Sequence, residues 1–349
     1  MRRFDYASLK TAKWDAEVVN YLSAIHEQKG KQELCLKQNA EVLERLVEIA
    51  KVQSTESSNE IEGIRTTETR LKQLMADKTA PRNRDEKEIA GYRDALNLVH
   101  ESFEYIPITP NYILQLHRIM FSHSDSSFGG QFKNVQNYIS ATDGSGRRYT
   151  LFTPLAPWET PEAVAQICEA YNHAIGEGVV DPLLLIPAFI HDFLCIHPFI
   201  DGNGRMSRLL TTLLLYRSGY YVGRYISLEK KIAGSKDLYY DALSLSQSGW
   251  HEGKDDPTPF IKYILGTIIS AYRDFEQRAE LINEKQTAID IVRSAVATRI
   301  GKFKKAEILE LCSSISASGV ERSLRKMCDS GEISMHGSGR SVYYVRERL

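Results

Sequence analysis

Hydrophobic positions recur with helical spacing along most of the chain. Tyr112, Ile113, Leu116, Ile119 and Met120 fall on one helical face, and Leu209, Leu210, Leu213 and Leu214 on another. Thr109-Pro110, Thr160-Pro161, Asp181-Pro182 and Thr258-Pro259 mark helix starts, each placing a capping side chain before a proline suited to the first helical position. Strand-like alternation before residue 281 is confined to the flanks of Asp143-Gly144-Ser145-Gly146, where Val135 to Ile139 and Tyr149 to Phe152 predict a β-hairpin. Beyond that point the segments shorten. Residues 289–300, 305–312 and 319–328 predict three helices. Glu332 to Met335 and Ser341 to Val345 predict a second hairpin across His336-Gly337-Ser338-Gly339-Arg340. Three helices with a two-stranded wing form the winged-helix arrangement. The expected class is mainly α, a helical bundle with one hairpin followed by a small α+β winged-helix domain.

A length of 349 residues exceeds one ordinary domain, and 42% hydrophobic with 26% charged residues is a soluble, globular composition. The 44 basic and 45 acidic residues nearly cancel, which excludes a whole-molecule field for a polyanion. The balance shifts locally. Residues 281–349 hold 12 Lys/Arg against 8 Asp/Glu, net +4. Arg322, Arg325 and Lys326 on the recognition helix and Arg340 at the wing tip permit phosphate contacts with DNA. Winged helices serve equally as dimerisation and protein-docking modules, so a homodimer stays open. Cys35, Cys168, Cys195, Cys312 and Cys328 are odd in number and lack CxxC spacing, against a disulfide framework or a zinc site. MRRFDYASLK lacks the apolar stretch of a signal peptide, and Leu183 to Ile190 is interrupted by Pro187 and too short to span a bilayer. The expected location is cytoplasmic, without a membrane partner.

Chemistry concentrates in His197-Pro198-Phe199-Ile200-Asp201-Gly202-Asn203-Gly204-Arg205-Met206-Ser207-Arg208. His197 and Asp201 are four apart, but Pro198, Gly202 and Gly204 oppose a continuous helix. Gly202-Asn203-Gly204 reads as a tight loop feeding a helix from Arg205 to Arg217. Such a loop aims several backbone N–H groups at one spot, an anion site. Arg205 and Arg208, three apart, can both lean over it. Asp201 beside a phosphate cradle is a natural Mg²⁺ ligand. His197 is the segment's one group able to deprotonate a hydroxyl near neutral pH. A capped helix with solvated arginines would explain any of these residues singly; their convergence within twelve positions favours a site.

His197 to Arg208 matches HPFxDGNGRxxR, and in this the chain resembles the Fic family of nucleotidyl transferases over residues 50–280. Leu116-His117 with Gly130-Gln131-Phe132-Lys133 is similar to the family's approach to its flap hairpin, with Lys133 where arginine is commoner. Tyr239 to Leu243 and Gly249-Trp250, running into Pro259-Phe260-Ile261, resemble the region around adenine. The resemblance implies a Fic-fold bundle over 96–280, a helical region over 1–95 and the winged helix over 281–349. It implies AMPylation: AMP passes from ATP to a Ser, Thr or Tyr hydroxyl of a protein, releasing pyrophosphate. By position, His197 would be the general base, Asp201 would hold Mg²⁺, and Asn203 would orient the α-phosphate. Gly202 and Gly204 would expose backbone donors, while Arg205 and Arg208 would contact the β- and γ-phosphates. Tyr240, Leu243 and Gln247 would line the adenine pocket. The flap, 131–153, would align the target protein, and self-modification is open.

Upstream, Ser58-Asn59-Glu60-Ile61-Glu62-Gly63 places Ser58 and Glu62 on one helical face, with Gly63 suited to the residue past a helix end. Read alone, this is an acidic solvated face. Beside the Fic signature it resembles the (S/T)xxxE(G/N) inhibitory motif on a helix at about 54–63. The resemblance implies that Glu62 pairs with Arg208 and takes the place of the γ-phosphate. Two other readings stay open: a Fic-fold enzyme that removes AMP or transfers phosphate, and a DNA-binding regulator whose Fic domain senses nucleotide.

Overall fold

The computed structural model describes the chain apart from residues 1, 37–39, 143–145, 284–286, 314 and 348–349. The turn residues Asp143, Gly144 and Ser145, and the side chains of Cys35 and Arg340, lie outside the described residues. Helices come in the order α1 (Ala16–Leu36), α2 (Ala40–Ile61), α3 (Glu68–Met75), α4 (Arg84–Ser102) and α5 (Pro110–Met120). A hairpin of β1 (Ile139–Thr142) and β2 (Arg148–Phe152) precedes α6 (Thr160–Glu177), α7 (Pro182–Ile196), α8 (Asn203–Arg217), α9 (Leu228–Gly234), α10 (Lys236–Ser246) and α11 (Thr258–Asn283). The tail holds α12 (Ala288–Ala297), β3 (Lys302–Phe303), α13 (Lys305–Leu311), α14 (Ala317–Asp329), β4 (Ile333–His336) and β5 (Tyr343–Arg346).

One apolar cluster runs from Tyr6 to Phe275, and a second from Val292 to Tyr344. Helix α7 is the axis of the first: every residue from Leu183 to Ile196 is buried, as an all-round apolar helix requires. The leucine stripe expected on α8 is part of a wider burial, since Arg205 to Tyr216 are all buried. Asp192 of α7 accepts from the Tyr6 hydroxyl (2.8 Å) and the Trp250 indole N–H (2.7 Å) and pairs with Arg2, fastening both ends of the bundle to its axis.

Thr109 and Asp181 cap α5 and α7 through their side chains. Thr160 and Thr258 do not cap. Both already lie inside their helices; the Thr160 hydroxyl donates to the Ala156 carbonyl (2.9 Å), and the Thr258 amide donates to Asp256 (2.9 Å). The first flap strand lies at 139–142 rather than 135–139. Residues 133–137 are pinned elsewhere, with Gln136 donating to the Pro154 carbonyl (3.0 Å) and Asn137 to the Phe199 carbonyl (3.0 Å). In the tail, the helix expected over 289–300 ends at Ala297, and Lys302–Phe303 pairs with β5 to give an antiparallel sheet in the order β3-β5-β4. Among the described residues no helix is long and apolar enough to cross a membrane. Cys168, Cys195, Cys312 and Cys328 are free thiols.

Candidate active site

Pro198 bars α7 from continuing, and the chain reverses at His197 with φ 51°, a left-handed conformation that few residues other than glycine adopt. Its amide still donates to the Phe193 carbonyl (3.0 Å). The imidazole Nδ1–H donates to the Leu194 carbonyl (3.2 Å), which leaves the Nε2 lone pair free as a proton acceptor. Burial pushes the His197 pKa down to about 4, and nearby Lys133 acts in the same direction, so the ring is neutral at physiological pH.

The loop is held from several sides. Asn203 uses both ends of its amide on Phe199, accepting from its N–H (2.9 Å) and donating to its carbonyl (2.8 Å). In this arrangement Asn203 shapes the loop. Lys133 Nζ donates to the Ile196 carbonyl (3.0 Å) and to Asn137 (2.9 Å), and burial lowers its pKa to about 8. His117 stacks on Phe199 with ring centres 3.7 Å apart. Its Nδ1 accepts from the Gly130 N–H (2.9 Å), so its Nε2–H donates to the Asp201 carbonyl (3.0 Å). Burial takes the His117 pKa down to about 4, which keeps that tautomer neutral.

Gly202, at φ +83°, turns the chain into α8. A Cβ there would lie 2.6 Å from Met120 and 2.9 Å from Phe121. Gly202→Ala is therefore expected to lower stability by about 2 kcal/mol, read as a drop of a few degrees in Tm. An unchanged Tm would contradict this packing. The first-turn amides of α8 precede its first intrahelical bond, Met206 N–H to the Gly202 carbonyl (2.8 Å), and point out of the helix start.

Both arginines are buried, and both are gripped by the end of α2. Arg208 donates from Nε to the Ser58 hydroxyl (2.8 Å), and from Nη2 to the Ser58 carbonyl (2.8 Å) and to Glu62 Oε1 (2.8 Å). Arg205 pairs with buried Glu88 of α4 (2.7 Å), reaches Asn59 (3.4 Å) and covers the Phe121 ring. Lys236 caps the helix by donating to the Ile61 carbonyl (2.6 Å). Glu62 lies just past Ile61, and Gly63 follows at φ +82°. Burial opposes ionisation of Glu62, but Arg208, Arg205 and Lys236 together outweigh it and hold its pKa below the ordinary value. A Cβ on Gly204 would overlap Glu62 Oε1, so only glycine lets an anionic group come this close to the helix start.

Asp201 accepts from the Gly202 N–H (2.6 Å), lies 3.6 Å from Arg205 and 3.3 Å from Arg84, and keeps its side chain 39% exposed. One accessible carboxylate beside an anion cradle fits Mg²⁺, a hard cation that takes one or two protein carboxylates and completes its shell with phosphates and water. The group of three potential ligands found among the described residues lies elsewhere, at His191, Asp192 and Asp255, and its carboxylates are already met by Tyr6, Trp250 and Arg2. Of the adenine-pocket residues, Tyr240 feels the charges of Glu62 and Arg208, while Leu243 packs on the core and Gln247 follows α10 as its C-cap. Around the flap, Val135, Tyr138, Tyr149, Leu151, Trp158 and Ile200 expose apolar surface. In the tail, Arg322, Arg325 and Lys326 are exposed on α14.

Glu88, Asn59, Arg84 and Lys236 escaped the sequence reading of the site, and His117 entered it only as part of the approach to the flap. Asn59 sits inside the Ser58–Gly63 motif and was the one within reach. Arg84 and Glu88 sit four apart on one helix, a spacing shared by many solvated pairs.

Residues 107–215 match the Fic/DOC family model. Among curated relatives, Protein adenylyltransferase Fic of Drosophila yakuba is 29% identical over 249 residues, covering 70% of this chain and 43% of the relative. The chain thus spans less than half the length of the curated relatives it matches. A Fic family protein from Desulfovibrio desulfuricans G20 superposes with a TM-score of 0.62 at 17% identity, over 96% of this chain and 97% of that one. A Fic domain containing signaling protein from Bacteroides thetaiotaomicron gives 0.62 at 23%, over 75% and 100%. These two likenesses show the fold.

Proposed function

We propose that this chain, which carries a Fic/DOC-family domain over residues 107–215, is a protein adenylyltransferase restrained by its own Glu62. The observation that carries the reading is the Glu62–Arg208 pair (2.8 Å), set against Gly204 at the start of α8 and beside a histidine whose Nε2 is free. An ionised carboxylate at a buried arginine and a helix N-terminus occupies the place that a terminal phosphate would take.

With Glu62 withdrawn, Arg205 would receive the β-phosphate of ATP and Arg208 the γ-phosphate, and the amides of 203–205 would face the phosphate chain. His197 Nε2 takes the proton of the target's Ser, Thr or Tyr hydroxyl as its oxygen bonds to the α-phosphorus. The bond from that phosphorus to the bridging oxygen breaks, and pyrophosphate leaves. Mg²⁺ held by Asp201 would neutralise charge on the phosphates. Positioning and charge neutralisation do most of the work in such a transfer. The target segment adds as a strand to the flap 131–153, against its exposed apolar rim. The protein itself serves as one such target. The net +4 tail reads as a docking module for a second copy or for DNA, and a salt titration of duplex binding by the whole chain separates the two.

One observation favours a second reading. Glu62 is ionised beside the same loop, where it could position water to remove AMP. Incubation with Mg²⁺ and ATP labelled at the α- or the γ-position decides among these. Protein label from the α-position alone supports AMP transfer, and γ-label means phosphotransfer. Release of AMP from a labelled protein without net incorporation means removal.

The low pKa of His197 fixes a pH dependence. Its folded-state value lies below the ordinary one, so the base form persists as pH falls and is lost only near pH 4. In Glu62→Gly protein, kcat/KM is expected to show no acid limb between pH 7 and pH 5.5. A limb near the ordinary histidine value of about 6.5 would exclude this neutral, buried base.

A further inference from the structure

Away from the loop, a cavity of about 630 Å³ opens between the start of α1, α2 at Gln53, α9, α11 and α13. Its charges divide unevenly. Lys230 pairs with Glu310 of α13 (2.5 Å), Lys231 with Asp274 (2.7 Å), and Lys262 with Asp15 and Glu17 (2.5 and 2.8 Å). Each lysine is thereby neutralised. Arg278 is the exception. It is 5% exposed, its Nη1 has no hydrogen-bond partner, and no carboxylate lies within salt-bridge distance among the described residues. A buried guanidinium group left without an acceptor is costly unless an anion meets it. The Ser270 hydroxyl lines the same cavity two turns back on α11, while Ser235 and Tyr263, with hydroxyls 2.8 Å apart, stand at its far end.

We propose that this cavity is a binding site for a small phosphorylated metabolite whose phosphate meets Arg278. The volume exceeds that of a lone phosphate and suits a ligand with a body. The Ser270 hydroxyl, two turns back on the same helix, suits a hydroxylated body. Among the described residues Arg278 is the lining cation without a paired carboxylate, enough for one phosphomonoester and too little for a polyphosphate chain.

The site adjoins the restraint. Gln53 of α2 lines it, one residue before Ser54, whose hydroxyl donates to that of Ser227 (2.9 Å), the N-cap of α9. Further along, Lys236 at the start of α10 caps α2 at Ile61. An occupant therefore bears on the helix that ends in Ser58, Asn59 and Glu62.

Calorimetric titration of the full chain with ribose 5-phosphate, inorganic phosphate and ribose tests the site. Saturable binding of ribose 5-phosphate, weaker binding of inorganic phosphate and none of ribose are expected. Arg278→Met should weaken the first by at least about tenfold. Ser270→Glu, a change at a half-buried lining position two turns away on the same helix that adds a negative charge, should do the same where Arg278→Met fails to fold. Arg208→Ala should leave binding unchanged. Absence of saturable binding, binding of inorganic phosphate alone, indifference to both cavity variants, or loss in Arg208→Ala would each overturn the proposal. These outcomes do not depend on whether the chain transfers AMP.

Discussion

Replacing Glu62 by glycine is expected to raise AMP incorporation by at least about tenfold, and by about a hundredfold if the Glu62–Arg208 pair couples by about 3 kcal/mol. The substitution removes one of three acceptors on Arg208; Ser58 still holds the guanidinium by its hydroxyl and carbonyl. The arginine therefore stays in place while its anion position empties. Glu62 lies past the last helical residue and precedes Gly63, so glycine there costs little helix stability. Glu62→Gln keeps the shape and loses the charge, and should fall between wild type and Glu62→Gly. The measurement is initial-rate incorporation of α-label into the protein at fixed ATP. Equal rates in wild type and Glu62→Gly would remove the restraint from the account.

His197→Ala in the Glu62→Gly background is expected to lower that rate by about 10²- to 10⁴-fold, the usual contribution of a positioned general base. Among the described residues the ring's one hydrogen bond is to Leu194. Its loss leaves the loop fastened by Asn203, Asn137, Lys133 and His117. ATP affinity should change little, because the phosphate-facing groups lie on α8. A fall in affinity as large as the fall in rate would assign His197 to binding. An unchanged rate would assign the proton to another acceptor.

The chain's order revealed the loop and helix 197–217 because their signals are local: a proline, two glycines and two arginines with fixed spacing. The same holds for the caps at Thr109 and Asp181. Thr160 misled because its hydroxyl found the Ala156 carbonyl, and a threonine before a proline does not reveal which acceptor it will use. The first flap strand misled for a related reason. Val135 to Ile139 alternates like a strand, but Asn137 and Gln136 spend their amides on carbonyls at Phe199 and Pro154, and pairing begins only after them. The partners of the arginines were hidden most deeply. Glu88 lies 117 residues from Arg205, and nothing in its own helix marks it as buried. A resemblance suggested Arg208 as the partner of Glu62 across 146 positions; periodicity alone could not.

On the proposed function, Arg208 faces one anion position for which a carboxylate and a phosphate compete. A change that sharpens its hold on negative charge, by drier surroundings or a better-aimed guanidinium, tightens both occupants together. The ratio between them is then nearly indifferent to drift in α8, and with it the fraction of molecules free to bind nucleotide. That ratio can be reset only where the two occupants differ, along α2 and its anchors at Ser54 and Ile61. The set point of the protein is thus written in a helix that never touches the transferred group.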